Sequence, residues 1–299
     1  MKFEHHRAKL GFMAFTTLID ASTLRELAGR PDVAVIDCRA DLINPEAARR
    51  AYLAGHIPGA RYADLHRDLA APVSANSGRH PLPSPQDFAV TLRKLGIGNA
   101  TQVIAYDDAG GAYAARAWWL LRWLGHRPVA VLDGGLKAWT AAGGTLEAGA
   151  EEPLKAAPAG GAVLPRADTA AVIDTAEIPA FLSDVGNLLV DARAAERYAG
   201  SVEPIDPVAG HIAGAVNHPF SANLAPDGRF LPAPELRRRW EARLAGRAAA
   251  NVAVMCGSGV TACHNLLSLE VAGLHGAKLY AGSWSEWIKD RNRPIARGG

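Results

Sequence analysis

Cysteine is scarce in this chain. Three stand among 299 residues, at positions 38, 256 and 263, and no two are spaced Cys-x-x-Cys. An odd, scattered set excludes a disulfide framework, gives no zinc-ligand spacing, and fits a reducing compartment such as the cytoplasm. No run reaches the roughly 18 apolar residues of a membrane span. The aromatic run Trp118-Trp119-Leu120-Leu121 is flanked by Arg116 and Arg122 and reads as a core helix. Met1 to Leu10 is polar, so no secretory apolar region is expected there. Net charge is only +2, which supplies no field for nucleic acid or an anionic membrane, and Arg237-Arg238-Arg239 reads as a solvated helix face. Apolar content of 49% against 21% charged residues leaves an ordinary soluble globular protein. No motif calls for a cofactor or a metal.

What is present is concentrated in Val252-Ala253-Val254-Met255-Cys256-Gly257-Ser258-Gly259-Val260-Thr261-Ala262-Cys263-His264. Val252 to Met255 is short, apolar and β-branched, as a buried parallel strand is. Val260 to Ala272 predicts an amphipathic helix with Leu266, Leu267, Leu269 and Val271 on its apolar side. Between them one thiol is followed by Gly-Ser-Gly. A strand running into a helix N-terminus points several backbone N–H groups at one place. Glycines at 257 and 259 permit φ > 0, so the loop can curl around its centre. A thiol there should fall below its ordinary pKa of about 8.5 and act as a nucleophile. A core cysteine needs no such cradle. Cys263, two turns along the helix, and Cys38, after a core strand, read as packing residues.

Along the chain, strands are predicted at 32–37, 102–106 and 128–132. Helices are predicted at 85–95 and 113–124, with a last one opened by Gly134-Gly135 and containing Trp139. Residues 1–14 read as a tail, with His5-His6 incidental. Residues 147–168, rich in Ala, Gly and Pro, read as a linker. Beyond it the pattern returns. Asp191-Ala192-Arg193 repeats Asp37-Cys38-Arg39, and Gly210-His211-Ile212 repeats Gly55-His56-Ile57. Val252 to Met255 repeats Val103 to Tyr106, and Gly282 and Trp287 repeat Gly134 and Trp139. These colinear matches, offset by about 150 residues, indicate a duplicated domain. The expected organisation is α/β, each copy a parallel β-sheet flanked by helices, over 15–146 and 169–294. Asp107 stands in the first copy where Cys256 stands in the second, so the first copy is inactive in thiol chemistry. In open α/β sheets the reactive crevice lies at the carboxyl ends of the strands, where Cys256 falls.

These residues resemble the two-domain rhodanese-type sulfurtransferases, tandem rhodanese-like domains with a catalytic second copy, and most of all the 3-mercaptopyruvate sulfurtransferases. Tyr52-x-x-x-His56-Ile57-Pro58-Gly59-Ala60 looks like the family's N-terminal signature, and Tyr280-Ala281-Gly282-Ser283-Trp284-Ser285-Glu286-Trp287 like its C-terminal one. Cys256-Gly257-Ser258-Gly259-Val260-Thr261 is similar to the mercaptopyruvate-type loop. Thiosulfate-type relatives carry cations where Gly257 and Ser258 stand, as a dianionic donor requires. The resemblance implies transfer of sulfur from 3-mercaptopyruvate through a Cys256 persulfide to cyanide, a small thiol or a thioredoxin-like acceptor. It makes Ser258 a hydrogen-bonding or proton-relaying partner and brings His56 in from the first domain, with Glu46 the candidate to orient it because the family's acidic position is Ala47; the alternative for His56 is a turn residue that fixes the loop before Ile57-Pro58. It gives Arg197 the donor carboxylate, with Gly257, Gly259, Val260 and Thr261 lining the site. The loop Glu203-Pro204-Ile205-Asp206-Pro207 lacks the family's second substrate arginine. A monomer is expected.

Two other readings fit the residues less well. A cysteine phosphatase needs Cys-x5-Arg, and Ala262 holds the arginine position. A non-catalytic binding module suits the first copy but not a cysteine kept in a glycine cradle. A thiosulfate:cyanide sulfurtransferase is the alternative within the enzyme class.

Overall fold

The computed structural model describes residues 14–150 and 159–298. Residues 1–13 of the expected tail, with His5 and His6, and residues 151–158 of the expected linker lie outside the described residues. The first half runs β1 (Leu18–Ile19), α1 (Ala21–Leu27), β2 (Val33–Asp37), α2 (Pro45–Ala54), β3 (Arg61–Tyr62), α3 (Pro85–Lys94), β4 (Gln102–Tyr106), α4 (Ala114–Trp123), β5 (Val129–Leu132) and α5 (Gly135–Ala141). Its sheet has five strands in the order β1-β5-β4-β2-β3, and every pairing is parallel. The second half runs α6 (Ile178–Ser183), β6 (Leu188–Asp191), α7 (Ala195–Ala199), β7 (His211–Ile212), β8 (Val216–Asn217), α8 (Ala233–Leu244), β9 (Val252–Met255), α9 (Thr261–Val271), β10 (Lys278–Leu279), α10 (Ser283–Trp287) and β11 (Ile295–Ala296). There β10-β9-β6-β8 repeat the order β5-β4-β2-β3, again all parallel.

Local chemistry sets these elements. β4 and β9 are buried along their whole length, as continuous apolar strands covered on both faces must be. The Ser84 hydroxyl caps α3 by accepting from Asp87 N, with Pro85 in the first turn, where no N–H is needed. Arg237, Arg238 and Arg239 lie on α8 in ion pairs with Glu235 and Glu241, as a solvated face should. No helix among the described residues is long and apolar enough to cross a membrane.

The two halves share one core. α4 and α9 pack on each other, and a single apolar cluster runs from Val103 and Trp118 through Leu266 to Val254. This overturns the amphipathic expectation for α9, which is buried on nearly every side, polar His264, Asn265 and Ser268 included. The cause is its place between its own sheet and the other half. Its polar groups are satisfied inside: Asn265 donates to His218 O at 2.8 Å, and Ser268 Oγ accepts from Trp240 Nε1 at 2.8 Å.

Candidate active site

β9 delivers Cys256 at the carboxyl end of its sheet, and α9 begins five residues on. The loop between is braced from the C-terminal segment. Cys256 N donates to Ser283 Oγ at 3.1 Å, Trp284 N to Cys256 O at 3.0 Å and Ser285 N to Gly257 O at 2.9 Å. Ser283 adopts φ 55°, a region costly for a non-glycine residue, and its hydroxyl is fixed by donating to Tyr280 O at 2.9 Å. The motif from Tyr280 to Trp287 is thus the wall the loop leans on.

The two glycines do different work. Gly259 takes φ 76°, and a Cβ there would stand 2.6 Å from Ala281 O, so both its backbone and its space demand glycine. Gly257 is not in the left-handed region, contrary to expectation. Its missing side chain matters because a Cβ would lie 3.1 Å from Arg79 Nη2 and 3.6 Å from Arg197 Nη2. Val260 turns its side chain into the apolar core, which leaves only its main chain to face a ligand. Thr261 opens α9 and is half-buried.

Cys256 is 2% exposed, so its sulfur shows little surface. Of the loop amides, that of Ser258 reaches it, at 3.4 Å. The sister domain shows what the same turn holds. Asp107 is fully buried; its Oδ1 accepts from Ala109 N at 2.9 Å and Gly111 N at 2.8 Å, and its Oδ2 from Tyr113 N and Ala114 N, both at 2.8 Å. Asp107 therefore lies inside its own cradle rather than at the interface between the halves. The turn is an anion site, permanently filled in the first half.

The histidine beside the loop is not His56. His56 is buried against its own domain, its ring stacked 4.0 Å from that of Tyr52, its Nδ1 bonded to Tyr52 O at 2.9 Å and its Nε2 to Glu147 at 3.2 Å. Glu147, not Glu46, is its acidic partner. The second half repeats the arrangement, with His211 stacked 3.8 Å from Tyr198 and its Nδ1 on Tyr198 O at 2.8 Å. The tyrosine stack and the Nδ1 bond, built alike in both halves, hold each histidine within its own domain. His80 takes the place expected of His56: its Nδ1 meets Ser258 Oγ at 2.8 Å, and its Nε2 meets His66 Nδ1 at 3.2 Å. Burial, with His66, Arg116 and Arg79 near, pushes the His80 pKa down to about 3, so the ring is neutral at ordinary pH.

Arg116 of α4 is fully buried, and among the described residues its partners are backbone carbonyls rather than carboxylates. Its guanidinium donates to Leu69 O at 3.3 Å, Gly259 O at 3.1 Å, and His80 O at 3.2 Å. It ties the thiol loop to the segment that carries His80. Burial lowers its pKa, and the nearby Cys263 and Cys256 thiols oppose that. Cys263 donates to Gly259 O at 3.3 Å, and burial pushes its pKa up to about 12, which keeps it a thiol. Burial likewise raises Cys38. Arg197 lies beside Gly257 and is held by Glu203 at 2.7 Å and Asp206 at 3.1 Å. Arg79 joins it from the first half, paired with the same Asp206.

Sequence reasoning missed Arg79, His80, His66 and Arg116. All but Arg116 fall in the irregular stretch between β3 and α3. The signal there was chemistry-bearing residues clustered in a loop, Gly78-Arg79-His80-Pro81.

Two histidines of this joint also set an acid limit. His264 of α9 reaches Gly110 O of the first half at 3.0 Å, and burial lowers its pKa to about 4. For both His264 and His80 the folded pKa lies below the ordinary value, so between pH 6.5 and those values the unfolded chain binds more protons. Their contribution is complete above about pH 6.5 and is lost as pH falls. Denaturation at pH 7 and pH 5 should show a loss of about 2 kcal/mol per histidine. Equal stability at the two pH values would contradict their neutral burial.

Comparison with known proteins matches both halves of the chain. The rhodanese-like domain family matches residues 20–142 and again 174–290. A Pseudomonas aeruginosa protein named "Probable 3-mercaptopyruvate sulfurtransferase" is 50% identical over 96% of this chain and 100% of its own. A bovine thiosulfate sulfurtransferase is 36% identical over 86% of each chain. The crystal structure of SseA from Escherichia coli, a 3-mercaptopyruvate sulfotransferase, superposes with a TM-score of 0.76 at 33% identity, over 91% of this chain and 100% of its own.

Proposed function

The chain belongs to the rhodanese family, with two copies of its domain, and from that premise we propose that it moves a sulfur atom from 3-mercaptopyruvate through a persulfide on Cys256 to a thiol or cyanide. The observation that carries this is Asp107. Its carboxylate oxygens stand one atom beyond the place of Sγ and collect four amides. The outer sulfur of a Cys256 persulfide also stands one atom beyond Sγ. At the first three of these spacings the second half offers the amides of Ser258, Val260 and Ala262; the fourth, that of Cys263, donates to Val260 O at 3.0 Å. On this reading the first half displays, with oxygen, the anion that the second half forms with sulfur.

The steps balance without an added oxidant. Cys256 thiolate attacks the donor's SH sulfur; the carbon–sulfur bond breaks and its electron pair passes to the enolate of pyruvate. The proton of that SH group then moves to the enolate carbon, which gives pyruvate and an anionic persulfide. On this reading Ser258 Oγ, hydrogen-bonded to neutral His80 and through it to His66, carries that proton. An acceptor thiol takes the outer sulfur and leaves its proton, and Cys256 thiolate returns. A small thiol or a thioredoxin-like dithiol suits as acceptor, in the cytoplasm, with the protein acting as a monomer.

Thiosulfate is the second reading, favoured by the two guanidinium groups beside Gly257. Arg79 is paired with Asp206 and Arg197 with Glu203 and Asp206, so the group keeps spare N–H edges for one carboxylate but no net positive charge to balance a dianion. Thiocyanate formation with each donor decides between them. Mercaptopyruvate should be preferred by at least about tenfold in kcat/KM; a large preference for thiosulfate overturns the assignment.

A further inference from the structure

We infer that Arg79, supplied by the first domain, and Arg197, supplied by the second, together bind the carboxylate of the sulfur donor, with Asp206 aiming them both. The inference rests on the sulfurtransferase reading above and adds the residue that sets donor specificity. The loop from Glu203 to Pro207 carries no arginine. Arg197 alone would meet a carboxylate with one guanidinium.

The hydrogen bonds show which edges are free. Asp206, nearly wholly buried, uses Oδ1 on Arg79 Nη1 and Oδ2 on Arg197 Nη2. Glu203 takes Arg197 Nε at 3.1 Å and Nη2 at 2.7 Å. Among the described residues, Arg79 Nη2 and Arg197 Nη1 have no hydrogen-bond partner. These two nitrogens face Gly257, at 3.1 and 3.7 Å from where its Cβ would be. Arg79 Nε is buried and likewise unpartnered. Two spare N–H edges from separate domains thus converge on the space that a glycine leaves open, one residue from Cys256. The sulfur and carboxylate of a three-carbon keto acid are separated by two carbons, so one molecule can reach both. Glu203 and Asp206 already balance the two arginines, and the ligand that fits is a single carboxylate presenting two oxygens to two forks. Any side chain at 257 would fill this space.

Two measurements on the full chain test it. One is kcat and KM for 3-mercaptopyruvate. The other is the alkylation rate of Cys256 by iodoacetate and by iodoacetamide, a carboxylate and a neutral probe of the same shape. Arg79→Met should raise KM about 10–100-fold with little change in kcat, the loss of a charged hydrogen-bonding partner. It should lower the iodoacetate to iodoacetamide rate ratio about tenfold and leave the iodoacetamide rate within about twofold. Arg79→Lys, which keeps charge but not the fork, should fall between. An unchanged KM and ratio overturn the inference, and so does an equal fall in both alkylation rates, which would make Arg79 a structural tie between domains. If the wild-type protein does not use mercaptopyruvate, the functional reading fails, and the alkylation ratio still decides whether the clamp exists.

Discussion

Cys256→Ser is expected to lower sulfur transfer by at least about 1000-fold, while Cys263→Ser keeps most of the activity. A hydroxyl cannot carry the transferred sulfur, so no half-reaction survives the first change. Cys263 is closed to a donor: it is fully buried, donates to Gly259 O, and burial holds it protonated with a pKa of about 12. Serine can make the same hydrogen bond at little cost in volume. Steady-state thiocyanate formation reads the difference. Equal loss in the two variants would mean that the second thiol takes part, and the assignment of roles to this helix would be wrong.

Asp107→Ala is expected to destabilise the protein by about 3–5 kcal/mol, even though the residue is far from any step of the reaction. The carboxylate satisfies four amides at 2.8–2.9 Å, two of them buried and two half-buried. Alanine leaves them without acceptors, and an orphaned buried group costs about 1–3 kcal/mol. Water entering the cavity recovers part of that sum. Asp107→Asn should cost less, because one of its two side-chain atoms still accepts. Chemical denaturation measures both. A loss below about 1 kcal/mol for alanine would show that the turn does not need an anion, and would remove the argument carried from this loop to the persulfide.

The parts legible in the sequence are those set by local chemistry. β4 and β9 fall where continuous apolar runs put them, and α3 is bounded by its Ser-Pro start. The thiol loop announces itself by glycines between strand and helix. The duplication was readable because it needs only spacing. The parts not legible depend on how the halves dock. His80, Arg79 and His66 sit in a segment with no period of 2 or 3.6, and only docking brings them to Ser258 and Gly257. Arg116 looked like the polar end of a core helix and is instead enclosed between domains. His56 misleads for a different reason. It belongs to a conspicuous motif, and the sequence held the counter-evidence: Gly210-His211-Ile212 repeats that motif in the other half, where a histidine brought in from the first domain has no counterpart. Both rings stack on a tyrosine of their own half and brace its strand connection.

The most direct test is the mass of the protein, and then of its Cys256 peptide, after one equivalent of 3-mercaptopyruvate with no acceptor present. The account predicts one added sulfur atom, located on Cys256 and removed by cyanide with recovery of the original mass. An unmodified protein that has nonetheless released pyruvate, or the added sulfur on Cys263 or Cys38, would contradict it.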